Sequence, residues 1–323
     1  MDENYQKLLD LSIIVPLLNE AESLPELTAW IERVTNTYNY SYEIIFIDDG
    51  STDNSWEIIS TLSKQNGNVK GIRFQRNYGK SAALNEGFKA SNGNVVITMD
   101  ADLQDSPEEI PEFMEMINEQ GYDLVSGWKK VRYDNKFTKN LPSKFFNGVT
   151  SQMSGIHLHD FNCGLKAYNH AVVKSVEVYG EMHRYIPVLA KNAGFKKIGE
   201  KVVQHQPRKF GVSKFGWERF VNGFLDLLTV QFIGKFSKRP MHFFGLIGAI
   251  LFLVGFLSVG IMIISKIFMD DYSMSNKPPF FIALTAMTIG SMFFLAGYLA
   301  ELIVRSAPER NQYLIKEKLK LRD

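Results

Sequence analysis

Short apolar runs recur between residues 11 and 126, each closed by polar side chains and followed by a stretch of helical spacing. The runs 11–16, 42–47, 69–74, 95–99 and 123–126 are too short for helices and predict buried strands. Between them, 22–35, 53–64, 81–90 and 107–119 place apolar residues at helical intervals. Strands alternating with helices predict an α/β fold with a doubly wound, mostly parallel sheet. Strand ends in such a sheet share one edge, where ligands bind. Asn19-Glu20, Asp48-Asp49, Asn77 and the pair Asp100 and Asp102 all follow strand ends, so four polar tips are expected around one crevice.

The pattern changes after about Pro207. Phe220, Phe224, Leu227, Leu228 and Phe232 fall at helical spacing, with Lys235, Lys238 and Arg239 behind them. This predicts an amphipathic helix at a membrane interface, or one packed on the domain. No Asp, Glu, Lys or Arg occurs between Arg239 and Lys266, nor between Lys277 and Glu301. Each run exceeds the about 20 residues that a membrane span needs; two long core helices are the bland alternative. Lys235, Lys238, Arg239, Arg305 and Arg310 flank the outer ends, so the catalytic part and the basic tail are expected in the cytoplasm. The expected division is a catalytic domain at 1–214, a juxtamembrane helix at 215–238, two spans within 239–304 (about 241–265 and 279–303) and a tail at 305–323.

Composition narrows the function classes. Net charge is +1 over 323 residues, so there is no nucleic-acid footprint. Cys163 is the only cysteine, which excludes an internal disulfide and suits a reducing compartment. The first ten residues are polar and carry no signal-peptide pattern.

Asp100-Ala101-Asp102-Leu103-Gln104 is the stretch with the clearest chemistry. In an extended turn, residues i and i+2 point the same way. Asp100, Asp102 and Gln104 can then present oxygens to one hard cation, Mg²⁺ or Mn²⁺, with a substrate diphosphate completing the shell. A solvated acidic loop that caps the next helix, through Ser106-Pro107-Glu108-Glu109, is the plainer alternative. Gly79-Lys80-Ser81 looks like the end of a P-loop, but the position that needs the first glycine is Phe74. Lys80 therefore reads either as a phosphate contact at a helix start or as a solvated lysine. No G-x-G-x-x-G follows the first strand, which disfavours a dinucleotide fold.

Taken together, Ser12-Ile13-Ile14-Val15-Pro16, Asn19-Glu20, Ile47-Asp48-Asp49-Gly50-Ser51-Thr52-Asp53, Arg76-Asn77-Tyr78-Gly79-Lys80 and Asp100-Ala101-Asp102-Leu103-Gln104 resemble the family 2 glycosyltransferases of the GT-A fold. The likeness is to their polyprenyl-phosphate branch, the dolichyl-phosphate mannose synthases and bacterial undecaprenyl-phosphate glucosyltransferases, and covers nearly the whole chain. The resemblance implies that Pro16, Leu18 and Glu20 line a nucleotide pocket and that Asp49 meets base or ribose, while Asp48 braces the turn. It implies that Asp100, Ala101, Asp102 and Gln104 face the diphosphate and the metal. It also implies an inverting transfer of a hexose, glucose from UDP being the first expectation, to undecaprenyl phosphate. The setting it implies is a bacterial inner membrane, with the enzyme in a homo-oligomer, a tetramer in relatives.

The acceptor side rests on three stretches. His157-Leu158-His159-Asp160-Phe161-Asn162-Cys163-Gly164-Leu165-Lys166 has no common zinc spacing and no evident fourth ligand. By resemblance Asp160 is the acid of a D-x-x-C-G-x-K motif, as base, as orienter or as a turn-capping residue. Arg184, in Glu181-Met182-His183-Arg184-Tyr185-Ile186-Pro187, is expected to meet a phosphate or to form a structural ion pair. Arg208, Ser213 and Lys214 lie in a basic loop that by resemblance closes over the phosphates and equally suits anionic lipid. An arginine that the mannose synthases carry after the fifth strand is replaced around Trp128-Lys129. Two rival functions remain. A processive polysaccharide synthase would carry Q-x-x-R-W, whereas Arg208 is followed by Lys209. The other is a non-catalytic nucleotide-sugar-binding scaffold.

Overall fold

The computed structural model describes residues 9–130, 147–148, 150–152, 154–206, 229, 232, 239–268 and 277–306. Arg208, Ser213, Lys214 and almost all of the amphipathic stretch 215–238 lie outside the described residues, as does the tail from 307. The chain falls into two compact units, residues 1–231 and 232–323.

The first unit is an α/β domain. Its strands are β1 (Leu9–Leu17), β2 (Tyr42–Asp48), β3 (Val69–Arg73), β4 (Gly93–Thr98), β5 (Leu124–Trp128), β6 (Lys166–Asn169) and β7 (Ile198–Val202). They form one sheet of order β3-β2-β1-β4-β6-β5-β7. The first four are mutually parallel, and β5 is parallel to β7. Strand β6 runs antiparallel to both β4 and β5. The GT-A-like, mostly parallel architecture expected from the alternation is thus present, with β6 as the single reversed strand in it.

The helices are α1 (Leu24–Thr37), α2 (Ser55–Gln65), α3 (Lys80–Ala90), α4 (Ile110–Asn118), α5 (His170–Ser175) and α6 (Ile186–Asn192). Strands β1, β2 and β4 are buried on both faces, and the period-2 alternation sorts their side chains. Leu11, Ile13, Val15, Ile44, Phe46, Val95 and Ile97 pack with Leu27 and Ile31 of α1 and Phe113 of α4. Ile14, Ile45, Ile47 and Val96 pack on the other face with Leu84 and Phe88 of α3 and Ile186 of α6. Opposed apolar faces of this kind fix the register, since a one-residue slip would exchange the two cores.

The second unit is a pair of long helices, α7 (Met241–Phe268) and α8 (Pro278–Ser306). Both are long and apolar enough to cross a membrane, and only 17% of each apolar window is buried. A core helix of a soluble protein would be mostly buried; here Ile250, Leu253, Leu257, Ile261, Ile282, Leu295 and Leu299 stand exposed. Glycines set the contact between the helices. A Cβ on Gly248 would lie 2.6 Å from the Gly290 carbonyl, one on Gly290 2.6 Å from the Phe252 nitrogen, and one on Gly255 2.6 Å from the Ala283 carbonyl. Small residues allow this close antiparallel approach. Gly248, Gly255 and Gly290 are therefore used within the chain.

Candidate active site

The first three polar tips are tied to one another. Asn19 has a left-handed backbone (φ 57°), a conformation asparagine tolerates. Its N–H donates to Ser51 Oγ at 2.9 Å, and its Oδ1 accepts from the Thr52 N–H at 2.8 Å. The Glu20 N–H donates to Ser55 Oγ at 3.1 Å. Asp48 Oδ1 accepts from the Ser51 N–H at 2.7 Å and so closes the turn after β2, the bracing role expected of it. Pro16 and Leu18 are half-buried at the end of β1. Gly50 sits against the backbone of Arg76 and Asn77, where a Cβ would come within 2.6 Å.

Asp49 grips the start of α3. Its Oδ1 accepts from the Tyr78 N–H at 2.7 Å and its Oδ2 from the Gly79 N–H at 2.9 Å. Burial, with Asp48 beside it, pushes this carboxyl above its ordinary range against the pull of those two amides. The same turn delivers Lys80, whose Nζ reaches Asp100 Oδ1 at 2.5 Å. A chain of contacts thus runs from the tip of β2 through the start of α3 to the tip of β4.

The acid turn after β4 is held from several sides. Ala101 and Leu103 are buried, and Leu103 is left-handed (φ 60°) with its side chain in the core. Such a backbone costs about 1–3 kcal/mol and persists where surroundings impose it, often at functional turns. Asp102 is 7% exposed, and its Oδ1 accepts from the Gln104 N–H at 3.2 Å. Gln104 accepts at its carbonyl from the Gln206 N–H at 3.0 Å. Its Nε2 lies 3.4 Å from the Gln206 carbonyl and from His205 Nε2. Buried Asp105 pairs with Lys129 at 2.7 Å. Lys129 is therefore a brace beneath the acid turn.

Burial opposes ionisation of Asp100, but the cations of Lys80, Lys129 and Lys166 outweigh it and hold the carboxyl down at about 2. Asp100 also rests on Gly164, where a Cβ would meet Oδ2 at 2.5 Å, Cγ at 2.6 Å and Oδ1 at 2.8 Å. The glycine of the D-x-x-C-G-x-K motif makes room for that carboxylate. Thr98 Oγ1 fixes the same peptide by donating to the Gly164 carbonyl at 2.8 Å. Asp160 is 1% exposed; its Oδ1 accepts from the Asn162 N–H at 3.0 Å, and its carbonyl accepts from Ser126 Oγ at 3.2 Å. It caps the turn that carries Asn162-Cys163-Gly164 to Asp100. Cys163 is buried, which pushes its thiol up to about 12. His159 stacks on Trp128 with centroids 4.0 Å apart and binds Glu200 through its backbone N–H at 2.7 Å.

Beside Asp100 lies a small open cleft lined by Lys80, Leu84, Thr98, Asn162, Cys163, Gly164, Lys166, Tyr168, His183, Arg184 and Ile186. Lys166 is 3% exposed and donates to the Cys163 carbonyl; burial lowers its ammonium from the ordinary range. His183 is pushed well down by burial and by Lys80, Arg184 and Lys166, and its Nδ1 lies 3.0 Å from Ser81 Oγ. Arg184 is 3.9 Å from Glu181. Lys80 and Arg184 thus share the cleft's walls, Asp100 joins them through Lys80, and Asp49 is linked through the turn before Lys80. Sequence reasoning quoted Gly164, Lys166 and His183 without giving them a role and did not single out Asp105. The one local signal was a lysine set between Leu165 and Ala167 in an apolar setting.

The donor set has the chemistry of a hard-cation site. It offers two carboxylates on one turn, one of them held ionised. Magnesium commonly takes just one or two protein carboxylates and completes its shell with phosphates and water. Among the described residues no group of three or more His, Cys, Asp and Glu side chains converges as a protein-only metal site would.

The sequence profile of glycosyl transferase family 2 matches residues 12–176, the segment that carries β1, β2, β4 and the acid turn. The chain belongs to glycosyl transferase family 2. As a family 2 chain it is similar to the dodecaprenyl-phosphate galacturonate synthase of Rhizobium johnstonii, at 33% identity over 92% of this chain and 88% of that one. It is also similar to the undecaprenyl-phosphate 4-deoxy-4-formamido-L-arabinose transferase of Photorhabdus laumondii, at 34% identity over 94% of this chain and 91% of the relative. These relatives put the family 2 chain beside polyprenyl-phosphate sugar transferases, as its motifs implied. The fold matches glucosyl-3-phosphoglycerate synthase from Mycobacterium tuberculosis, solved with Mn²⁺, UDP-glucose and phosphoglyceric acid. The TM-score is 0.51 at 15% identity, covering 70% of this chain and 79% of that one.

Proposed function

We propose that this enzyme transfers a sugar, with inversion, from a nucleotide diphosphate sugar to a polyprenyl phosphate at the cytoplasmic face of a bacterial inner membrane. The carrying observation is the extent of the likeness: it spans the catalytic unit and the two apolar helices together, in relatives named for polyprenyl-phosphate transfer. A soluble nucleotide sugar and a lipid-borne phosphate meet only at a membrane surface, so a crevice tethered by spans suits both. The proposed arrangement is a catalytic domain at 1–214, a juxtamembrane helix at 215–238, spans within 239–304 and a cytoplasmic tail at 305–323, in a homo-oligomer.

Pro16, Leu18, Glu20 and Asp49 are proposed to line the nucleotide pocket. Asp100 and Asp102, with Gln104, are the residues that would hold Mg²⁺ or Mn²⁺. A bound cation would supply neutralisation of the charge that builds on the leaving diphosphate. Lys80 keeps Asp100 ionised and in place. An acceptor phosphate is largely anionic near neutral pH, so Asp160 need take no proton. Its burial and its bond to the Asn162 N–H suit a positioning role. Arg184, Arg208, Ser213 and Lys214 are proposed to meet anionic groups of the substrates.

The donor is proposed to be a UDP-sugar, with UDP-glucose tested first. The relatives are named for galacturonate and for a formamido-arabinose, so donors of both kinds belong in the same panel. Purified full-length enzyme, Mn²⁺, undecaprenyl phosphate and each labelled donor should give label in the lipid extract. Nucleotide binding with no lipid-linked label from any donor would favour the scaffold reading. A long polymer product would favour the processive synthase.

A further inference from the structure

Gly79-Lys80-Ser81 does not complete a P-loop, yet each of its residues holds a different part of the site. The Gly79 N–H donates to Asp49 Oδ2 at 2.9 Å, and Lys80 pairs with Asp100 at 2.5 Å. Ser81 is 1% exposed, and its hydroxyl meets His183 twice. It accepts from the His183 N–H at 3.1 Å and lies 3.0 Å from the ring Nδ1. Burial and the cations Lys80, Arg184 and Lys166 push the imidazole well down, so the ring is neutral near pH 7. A neutral ring nitrogen can accept the hydroxyl proton. One helical turn further along α3, Asn85 Oδ1 accepts from the Val178 N–H at 3.1 Å. Met182 and Tyr185 are buried in the same core as Leu84 and Phe88 of α3. His183 and Arg184 stand between them and line the cleft. The 3-10 turn Met182–Tyr185 is thus docked on α3 by apolar burial and by the Ser81 hydroxyl, and Arg184 directly follows the residue that Ser81 grips.

We propose that Ser81 is a positioning residue: its hydroxyl docks the Met182–Tyr185 turn on α3 and so sets where Arg184 stands relative to Lys80 and Asp100. It acts through His183 and touches no substrate. This rests on the role given to Arg184 under the proposed function. The first turn of α3 then ties Asp49, the acid turn and the arginine-bearing turn into one frame, through three consecutive residues.

The test uses the full-length enzyme and the variants Ser81→Ala, Arg184→Gln, their double variant and Asn85→Ala. KM is measured for the nucleotide sugar and for undecaprenyl phosphate. Arg184→Gln identifies the substrate that the arginine serves, by the KM that rises. Ser81→Ala should raise that same KM about threefold to tenfold, the equivalent of one hydrogen bond, and leave the other unchanged. With both substitutions present, the rise should be no larger than with Arg184→Gln alone. Asn85→Ala loosens the same segment at Val178 and serves as the structural comparison. It should lower the melting temperature as Ser81→Ala does and keep both KM values at wild type. Multiplying losses in the double variant, a rise for the other substrate, or an equal rise in Asn85→Ala would overturn the proposal. Wild-type KM for both substrates in Arg184→Gln would reject the role given to that arginine, and the proposal with it. Absence of lipid-linked product from wild type would reject the transferase reading instead. Modification of Arg184 by phenylglyoxal, followed by mass spectrometry, needs no turnover and would still decide the docking. It should be about threefold or more faster in Ser81→Ala than in wild type and Asn85→Ala; equal rates in all three would overturn the proposal.

Discussion

Gly164→Ala isolates the placement of the Asp100 carboxylate. Gly164 does not have a positive φ, so alanine adds no backbone strain. The new Cβ would sit 2.5 Å from Asp100 Oδ2, whereas ordinary contact begins near 3.4 Å, so the carboxylate must retreat by about 0.9 Å. Asp100 is one-third exposed and can turn toward solvent. The fold should therefore survive at an overpacking cost of about 1–3 kcal/mol, a melting shift of several degrees for a unit of this size. Turning Asp100 away breaks its 2.5 Å contact with Lys80. Misplacement of a catalytic group by about 1 Å costs on the order of 10²-fold in rate. Transfer to lipid should thus fall about a hundredfold at saturating donor, while circular dichroism stays native. Wild-type turnover by a folded Gly164→Ala protein would refute the reasoning, because Asp100 would then be free to move without consequence.

Three further outcomes follow from the same geometry. Glu43 is 1% exposed and accepts from Ser12 Oγ at 2.5 Å, Lys70 Nζ at 2.6 Å and the Asn92 N–H at 2.7 Å, far from the acid turn. Glu43→Gln should cost about 1.5–3 kcal/mol in urea unfolding and leave transfer intact below the melting point. Burial opposes ionisation of Glu43, but its hydrogen bonds win and lower its pKa from 4.5. Its stabilisation is full above pH 4.5 and fades as pH falls through the folded value, and the variant should lose that slope. In the spans, Gly290→Leu should separate α7 from α8, read as loss of cross-linking between engineered cysteines, whereas Gly260→Leu, with open space around it, should not. Chelation by EDTA should abolish transfer, and Mg²⁺ or Mn²⁺ should restore it; full activity after exhaustive chelation would exclude a role for Asp100 and Asp102 as metal ligands.

Much of the domain could be read from local pattern. The first five strands and the helices between them announce themselves by period, and the parallel order follows from their alternation. Strands β6 and β7 do not. Lys166–Asn169 is only four residues long and buries a lysine, and Ile198–Val202 carries Glu200 and Lys201 where apolar residues would mark a strand. Lys201 is buried because Glu109 pairs with it across the fold. That partner lies 92 positions away and leaves no local trace. The acids of the site were legible because they follow strands. Their supports were not. Gly164 under Asp100, Lys129 on Asp105 and the Gln206 N–H on the Gln104 carbonyl are all long-range contacts that no spacing reveals. Nor does any spacing show that Gly248, Gly255 and Gly290 serve the α7–α8 contact while Gly260 faces open space.

The central claim is that the acid turn after β4 drives transfer of a nucleotide-linked sugar to a lipid phosphate. Its most direct measurement compares wild type with Asp102→Asn for incorporation of labelled donor sugars into extracted undecaprenyl phosphate, with Mn²⁺ present. The account predicts lipid-linked label from at least one donor with wild type and a loss of about a hundredfold or more with a folded Asp102→Asn protein. Equal incorporation by the two proteins would contradict it.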